Sequence, residues 1–314
     1  MMTSFALLCL SIAIIESMAG ILGNGIILAA SSSSCIGRKT CKTWPPYDMI
    51  VISLSSSRIT LQCWIILDLF LTVFCEPSYF EEDINVVIKT VYMFLNYSSL
   101  WFGAWLSVFY CIKVASFTQS FFIWLKQRIA RLMPWMLLGS WVCSFTAAIP
   151  FAWDVYSVHD NFTAPLPMTN SSAMRTSRKD SLDLLILLCN AGIGMPLILS
   201  VVSSVLLIQS LWTHTRRMQQ NASGFRDPSL EAHMKAIKSV CSFLILYITY
   251  FIAFTFLLYE LFLRFSTPRS ICIAVMAACP TGHSIVLIWS NPKFQELTAR
   301  IWHDTKCPVR IASM

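Results

Sequence analysis

Seven stretches of this chain are apolar over about 20 residues or more, at about 6–30, 49–74, 86–112, 132–153, 184–211, 239–262 and 270–289. A helix rises ~1.5 Å per residue and the hydrocarbon core of a bilayer is about 30 Å thick, so ~20 residues cross it. Lipid offers backbone N–H and C=O groups no partner, and a helix satisfies its own. A barrel would show many shorter segments of alternating polarity. One such segment fits the centre of a soluble protein; seven in succession do not. The expected fold class is an all-α membrane protein, a seven-transmembrane helix bundle, with 1–314 as one domain and 290–314 as a tail.

Composition agrees with this reading. Hydrophobic residues make up 56% of the chain and charged residues 12%, about half the ~25% charge of a soluble domain. That balance excludes a disordered chain, a coiled coil and an exported disulfide scaffold. No basic residue precedes the first segment and no small-residue cleavage pattern follows a short apolar core, so it reads as a retained span.

Charge sets the expected orientation. With the N-terminus outside, sixteen of the 23 Lys and Arg residues fall on the inner side and six on the outer, a positive-inside pattern with a cytoplasmic C-terminus. The net charge of +7 then reports sidedness, not nucleic-acid binding. The connection at about 154–183 is the longest outer loop, and inner loops are expected at about 31–48, 113–131 and 212–238. Asn161-Phe162-Thr163 and Asn170-Ser171-Ser172 are glycosylation sequons in that outer loop. After Trp289, Phe294, Leu297 and Ile301 share one helical face, which predicts a short helix on the inner membrane surface in contact with lipid.

Polar residues inside the spans mark candidate functional positions. Arg58 lies about ten residues into the second span, where a charge costs several kcal/mol unless paired. Glu16 and Asn24 of the first span, and carbonyls of the seventh, are its expected partners. Asp68 sits nearer the outside, at the expected mouth of a cavity. Pro196 and Pro280 fall where bends open space between helices. Tyr92 and Asn96, four apart, share a face of span three, and Tyr247, Tyr250 and Phe254 line span six. Aromatic walls with a few amide and hydroxyl groups suit a small, fairly apolar organic molecule.

Enzyme chemistry has no sequence support: there is no HExxH, GxSxG or phosphate-cradling loop. No metal set and no cofactor motif stands out, and span seven has no lysine for a retinal Schiff base. The residues alone leave three classes open: a small-molecule receptor, a different seven-helix sensory receptor, and a transporter or channel.

Longer motifs narrow the choice. Span one carries Glu16, Gly20 and Gly23-Asn24; span two carries LSSSRITLQCW (54–64); span three carries LWFGAWLSVFYCIKVASFTQSFFIWLKQRI (100–129). LLIQSLWTHTRRMQ (206–219), HMKAIKSVCSFLILYITYF (233–251) and HSIVLIWSNPKFQ (283–295) follow. In these motifs the chain resembles the bitter taste receptors, the type 2 taste receptor family of G-protein-coupled receptors, over nearly its whole length. The resemblance implies a receptor for small bitter compounds that promotes nucleotide exchange on a gustducin-type Gα carried with Gβγ, upstream of phospholipase C and calcium. It leaves open a homo- or hetero-oligomer.

By the same resemblance, Tyr92, Asn96, Tyr250 and Ile273 are the expected ligand contacts. Glu16, Asn24, Arg58, Tyr250, His283 and Ser284 are the expected helix network, and Tyr110, Lys113, His214, Arg217, His233 and Lys235 face the G protein. Two departures bear on ligand choice: Tyr92 stands where tryptophan is usual in the family, and Tyr97 where histidine is common.

Overall fold

The computed structural model describes residues 4–36, 44–74, 82–114, 120–163, 171–221, 228–259 and 267–306. These form helices α1 (Ser4–Ile36), α2 (Pro46–Phe74), α3 (Glu82–Val114), α4 (Ser120–Thr163), α5 (Ser171–Asn221), α6 (Pro228–Tyr259), α7 (Thr267–Ser290) and α8 (Pro292–Lys306). Seven of them match the expected spans, and α8 falls where a short helix is expected after Trp289. α1 packs on α2 and α7, α3 on α2, α4 and α5, and α6 on α5 and α7, which closes the bundle.

The packing is inverted relative to a soluble protein. Ile15, Leu22, Leu187, Ile198 and Ile245 point outward and are each more than 60% exposed, while Ser17, Asn24, Gln62, Ser144 and Ser200 are fully buried. Only a hydrocarbon solvent makes that arrangement stable. Inside, several serine and threonine hydroxyls return to the carbonyl one turn back, as Ser140 does to Met136 and Ser144 to Ser140, which lets those hydroxyls cross the apolar region with a hydrogen bond made.

Six helices are long and apolar enough to cross a membrane by composition, and α3 is not among them. The difference from the seven apolar segments has a physical reason. α3 carries Asn96, Tyr97, Ser98 and Ser99 in succession, and all four are buried against neighbouring helices. It meets mostly protein, so its polarity costs little. Trp105 Nε1 donates to Ser140 Oγ on α4 at 2.6 Å, and the Tyr97 hydroxyl donates to the Cys189 carbonyl of α5 at 3.2 Å.

Several helices outrun their apolar segments. The expected outer loop at 154–183 is helical up to Thr163 and again from Ser171. The inner loops expected at 113–131 and 212–238 are likewise entered by helix, from Ser120 in α4, to Asn221 in α5 and from Pro228 in α6. A helix satisfies its backbone as well in water as in lipid, so the apolar run marks the membrane crossing and not the helix end. At 51 residues, α5 is about 75 Å long by its rise.

The two ends of the bundle differ. At one, α8 begins where Asn291 interrupts the chain: Lys293 N donates to Asn291 Oδ1 at 3.1 Å, an N-cap followed by proline at the first helical position. Asn291 Nδ2 also donates to the Tyr47 hydroxyl at 3.0 Å, and Lys293 Nζ reaches Asp48 Oδ1 at 3.3 Å. Phe294 is fully buried in the cluster formed by Ile50, Val51 and Leu54 of α2 and Ile129 and Met133 of α4. Exposed tryptophans gather toward this end, at Trp44, Trp124, Trp135, Trp212, Trp289 and Trp302, with Trp141 farther along α4. Such rings favour a membrane interface.

Gly192 lets α5 approach α3: a Cβ there would lie 3.0 Å from Cζ of the buried Tyr97 ring, whereas one at Gly194 would meet nothing within 4 Å. Gly192→Val is therefore expected to destabilise the protein by ~1–3 kcal/mol, read as a lower thermal midpoint in detergent, with Gly194→Val close to the unaltered protein.

Candidate functional site

Two cavities lie one above the other among α2, α3, α6 and α7. The inner one is lined by Arg58, Asn96, Phe243, Tyr247, Tyr250 and His283, together with Leu61, Ser99, Cys279 and Pro280. The outer one is lined by Asp68, Lys89, Tyr92, Leu257, Arg269 and Ile273, with Ile65 and Met276 among the rest. The space open to the centre of a water molecule is about 30 Å³ in the inner cavity and about 60 Å³ in the outer. Organic ligands occupy pockets several times larger, so a ligand has to push these walls apart.

Each wall follows from local sequence. Tyr92 and Asn96 are one turn apart on α3, Tyr247 and Tyr250 three apart on α6, and Cys279 and His283 one turn apart on α7. Pro280 within α7 has no N–H to give, which releases the Met276 carbonyl from its in-helix bond beside both cavities. The Ser284 hydroxyl donates to the Pro280 carbonyl at 2.9 Å.

The four expected ligand contacts divide between the two levels. Asn96 and Tyr250 line the inner cavity; Tyr92 and Ile273 line the outer. Tyr250 joins them, since its hydroxyl donates to Asn96 Oδ1 and lies within hydrogen-bonding reach of the Tyr92 hydroxyl. Three residues on two helices thus form the partition between the cavities.

The expected helix network is assembled differently from its prediction. Arg58 does not pair with Glu16 or Asn24; its Nη1 donates to His283 Nδ1 on α7. Asn24 Nδ2 donates instead to the Gly20 carbonyl of its own helix at 2.9 Å, and Ser284 also stays within its helix. Glu16 enters through its backbone: Thr281 Oγ1 donates to the Glu16 carbonyl at 2.8 Å and accepts from Gln62 Nε2 at 3.0 Å. Gly20 makes that junction of α1, α2 and α7 possible, because a Cβ there would sit 1.9 Å from Gln62 Nε2 and 2.4 Å from Thr281 Oγ1.

Asp68 lines the outer cavity as expected, but Lys89, Gln62, Thr281 and Phe243 were not singled out from the sequence. Lys89 Nζ holds both Asp68 oxygens, at 2.6 and 2.8 Å, across the outer cavity. Each lies in an otherwise apolar segment, so the cost of an isolated intramembrane charge was the signal that would have paired them. Gln62, Thr281 and Phe243, whose ring centre is 4.5 Å from that of His283, carry no comparable signal.

Of the residues expected to face a G protein, Tyr110 and Lys113 lie at the α8 end. Tyr110 packs 6.1 Å from the Tyr47 ring and Lys113 Nζ lies 5.6 Å from the Phe109 ring centre. The side chains of His214, Arg217, His233 and Lys235 lie outside the described residues, as do the Asn161 side chain and the whole of Asn170.

Comparison with known proteins identifies the architecture. The family model described as "Taste receptor protein (TAS2R)" matches residues 1–306. The chain is 59% identical to taste receptor type 2 member 40 of Gallus gallus over 310 residues, 99% of each chain. It is 36% identical to human taste receptor type 2 member 39 over 294 residues, covering 94% of this chain and 86% of that one. It is 34% identical to human taste receptor type 2 member 2 over 287 residues, covering 91% and 92%. These relatives are receptors, not enzymes. The buried α3, the stacked cavities and the span motifs therefore sit in a membrane protein of known kind: the chain belongs to the type 2 taste receptor family.

Proposed function

We propose that this bitter taste receptor binds small, largely apolar organic molecules at the outer cavity and signals by rearranging the partition beneath it. The observation that carries this reading is the bond from Tyr250 on α6 to Asn96 on α3, directly under the space walled by Tyr92 and Ile273. A ligand entering from that side meets Tyr92 first and, through it, Tyr250. An agonist shifts the equilibrium only if it binds the active packing more tightly than the resting one. Parting Tyr250 from Asn96 supplies such a difference, because it frees α6 from α3.

Opposite the cavities, movement of α6 away from α3 opens a cleft near Tyr110 and Lys113. In this reading the α8 end faces the cytoplasm and the N-terminus lies outside, as the excess of bases on that side favours. The partner is a gustducin-type Gα with Gβγ, met also by His214, Arg217, His233 and Lys235. The whole chain acts as one domain, and Asn161 and Asn170 carry glycans on the outer side. A ligand screen reading calcium in cells supplied with a gustducin-like Gα tests the function. Responses to bitter compounds that vanish in uninduced cells are expected; uptake or current in vesicles of purified protein, with no G protein, would favour a transporter or channel instead.

Two variants test the mechanism at matched surface expression. Asn96→Ala removes the bond whose parting frees α6, so it is expected to raise ligand-independent signalling and to move agonist potency to lower concentration by about tenfold, the worth of roughly one buried hydrogen bond; unchanged basal signalling and potency across a broad agonist panel removes this bond from the response. Arg58→Ala is expected to lower maximal signalling because α2 loses its tie to His283 of α7; a full response would show that this tie plays no part.

A further inference from the structure

The inner cavity has a chemical character that an apolar ligand does not need. Arg58 is 6% exposed, Asn96 1% and Tyr247 4%. Arg58 Nε, Asn96 Nδ2 and the Tyr247 hydroxyl are all buried there without a hydrogen-bond partner. All three are donors, on α2, α3 and α6. The lining residues include no Asp or Glu. Arg58's one side-chain bond goes to the imidazole of His283, and a ring nitrogen that accepts from a guanidinium is unprotonated, so it brings no negative charge. Burying a guanidinium among donors, with no countercharge, is costly in a low-dielectric interior.

We infer that this cavity is an anion site that takes a single halide ion, chloride in ordinary media, held by Arg58 Nε, Asn96 Nδ2 and the Tyr247 hydroxyl. A halide satisfies three orphaned donors at once and neutralises the Arg58 guanidinium. The open space of about 30 Å³ is about twice what one water requires, enough for a monatomic ion and too little for an organic acid. Water alone would also accept from these donors but would leave the charge uncompensated. The ion would join α2, α3 and α6, and α7 through His283, directly below the Tyr250–Asn96 bond.

The test uses purified full-length receptor in nanodiscs, without agonist or G protein, so it succeeds or fails independently of the proposed ligand response. Chloride replaces gluconate at constant ionic strength while the thermal midpoint is followed. A saturable rise of about 5 °C is expected, with bromide acting like chloride. Tyr247→Phe, which keeps the ring and removes one donor, is expected to raise the chloride concentration at half-effect about tenfold. Arg58→Gln is expected to abolish the effect; should that variant not fold, Tyr247→Phe still decides. No difference between chloride and gluconate means that the cavity holds water only, and an unshifted titration in Tyr247→Phe places the ion elsewhere; either overturns the proposal.

Discussion

A guanidinium fixed at the middle of a lipid-embedded bundle dictates much of what surrounds it. Arg58 is too deep in α2 to reach water, so neighbouring helices have to supply what water would. α7 answers with His283, which Phe243 of α6 backs with its ring. α3 answers with space: Gly103 stands where a Cβ would come 3.9 Å from Arg58 Nη2 and 3.4 Å from the Phe243 ring. The inner cavity is what remains when three helices meet around a flat, charged group and cannot fill every corner.

Above that level the structure changes in kind. The outer cavity is charged at its rim by Asp68, Lys89 and Arg269 and apolar at its base, whereas the inner one is apolar around a few donors. Tyr250 is the one side chain that addresses both, through Tyr92 on one side and Asn96 on the other. The two cavities therefore meet at a hydroxyl. In the proposed reading, that contact is what would give a small ligand leverage over α6.

The membrane-spanning architecture was legible because burial in lipid imposes a single demand, a sufficient apolar length, and the chain shows it plainly. α3 shows its limit: read by hydropathy alone it falls short, and only its covering of neighbours explains how Asn96 to Ser99 cross the membrane. Helix ends were less legible, since polar residues continue α4 and α5 as readily as they would form loops. At the site, the residue types were visible and their pairing was not. Arg58 and His283 stand 225 positions apart, and nothing local in either segment says that they meet. The expected partners, Glu16 and Asn24, do not reach Arg58, and Glu16 Oε2 and Asn24 Oδ1 stay without a hydrogen-bond partner. Asn24 returns to Gly20, and Glu16 offers its carbonyl to Thr281.

The uneven placement of exposed indoles has a mechanical corollary. Trp44, Trp124, Trp135, Trp212, Trp289 and Trp302 lie exposed on the α8 half of the bundle, with Trp124 and Trp135 about 16 Å apart along α4. Indoles anchored in the headgroup region resist movement along the membrane normal, so a change in bilayer thickness is met by tilting of α4, α5 and α7 rather than by sliding.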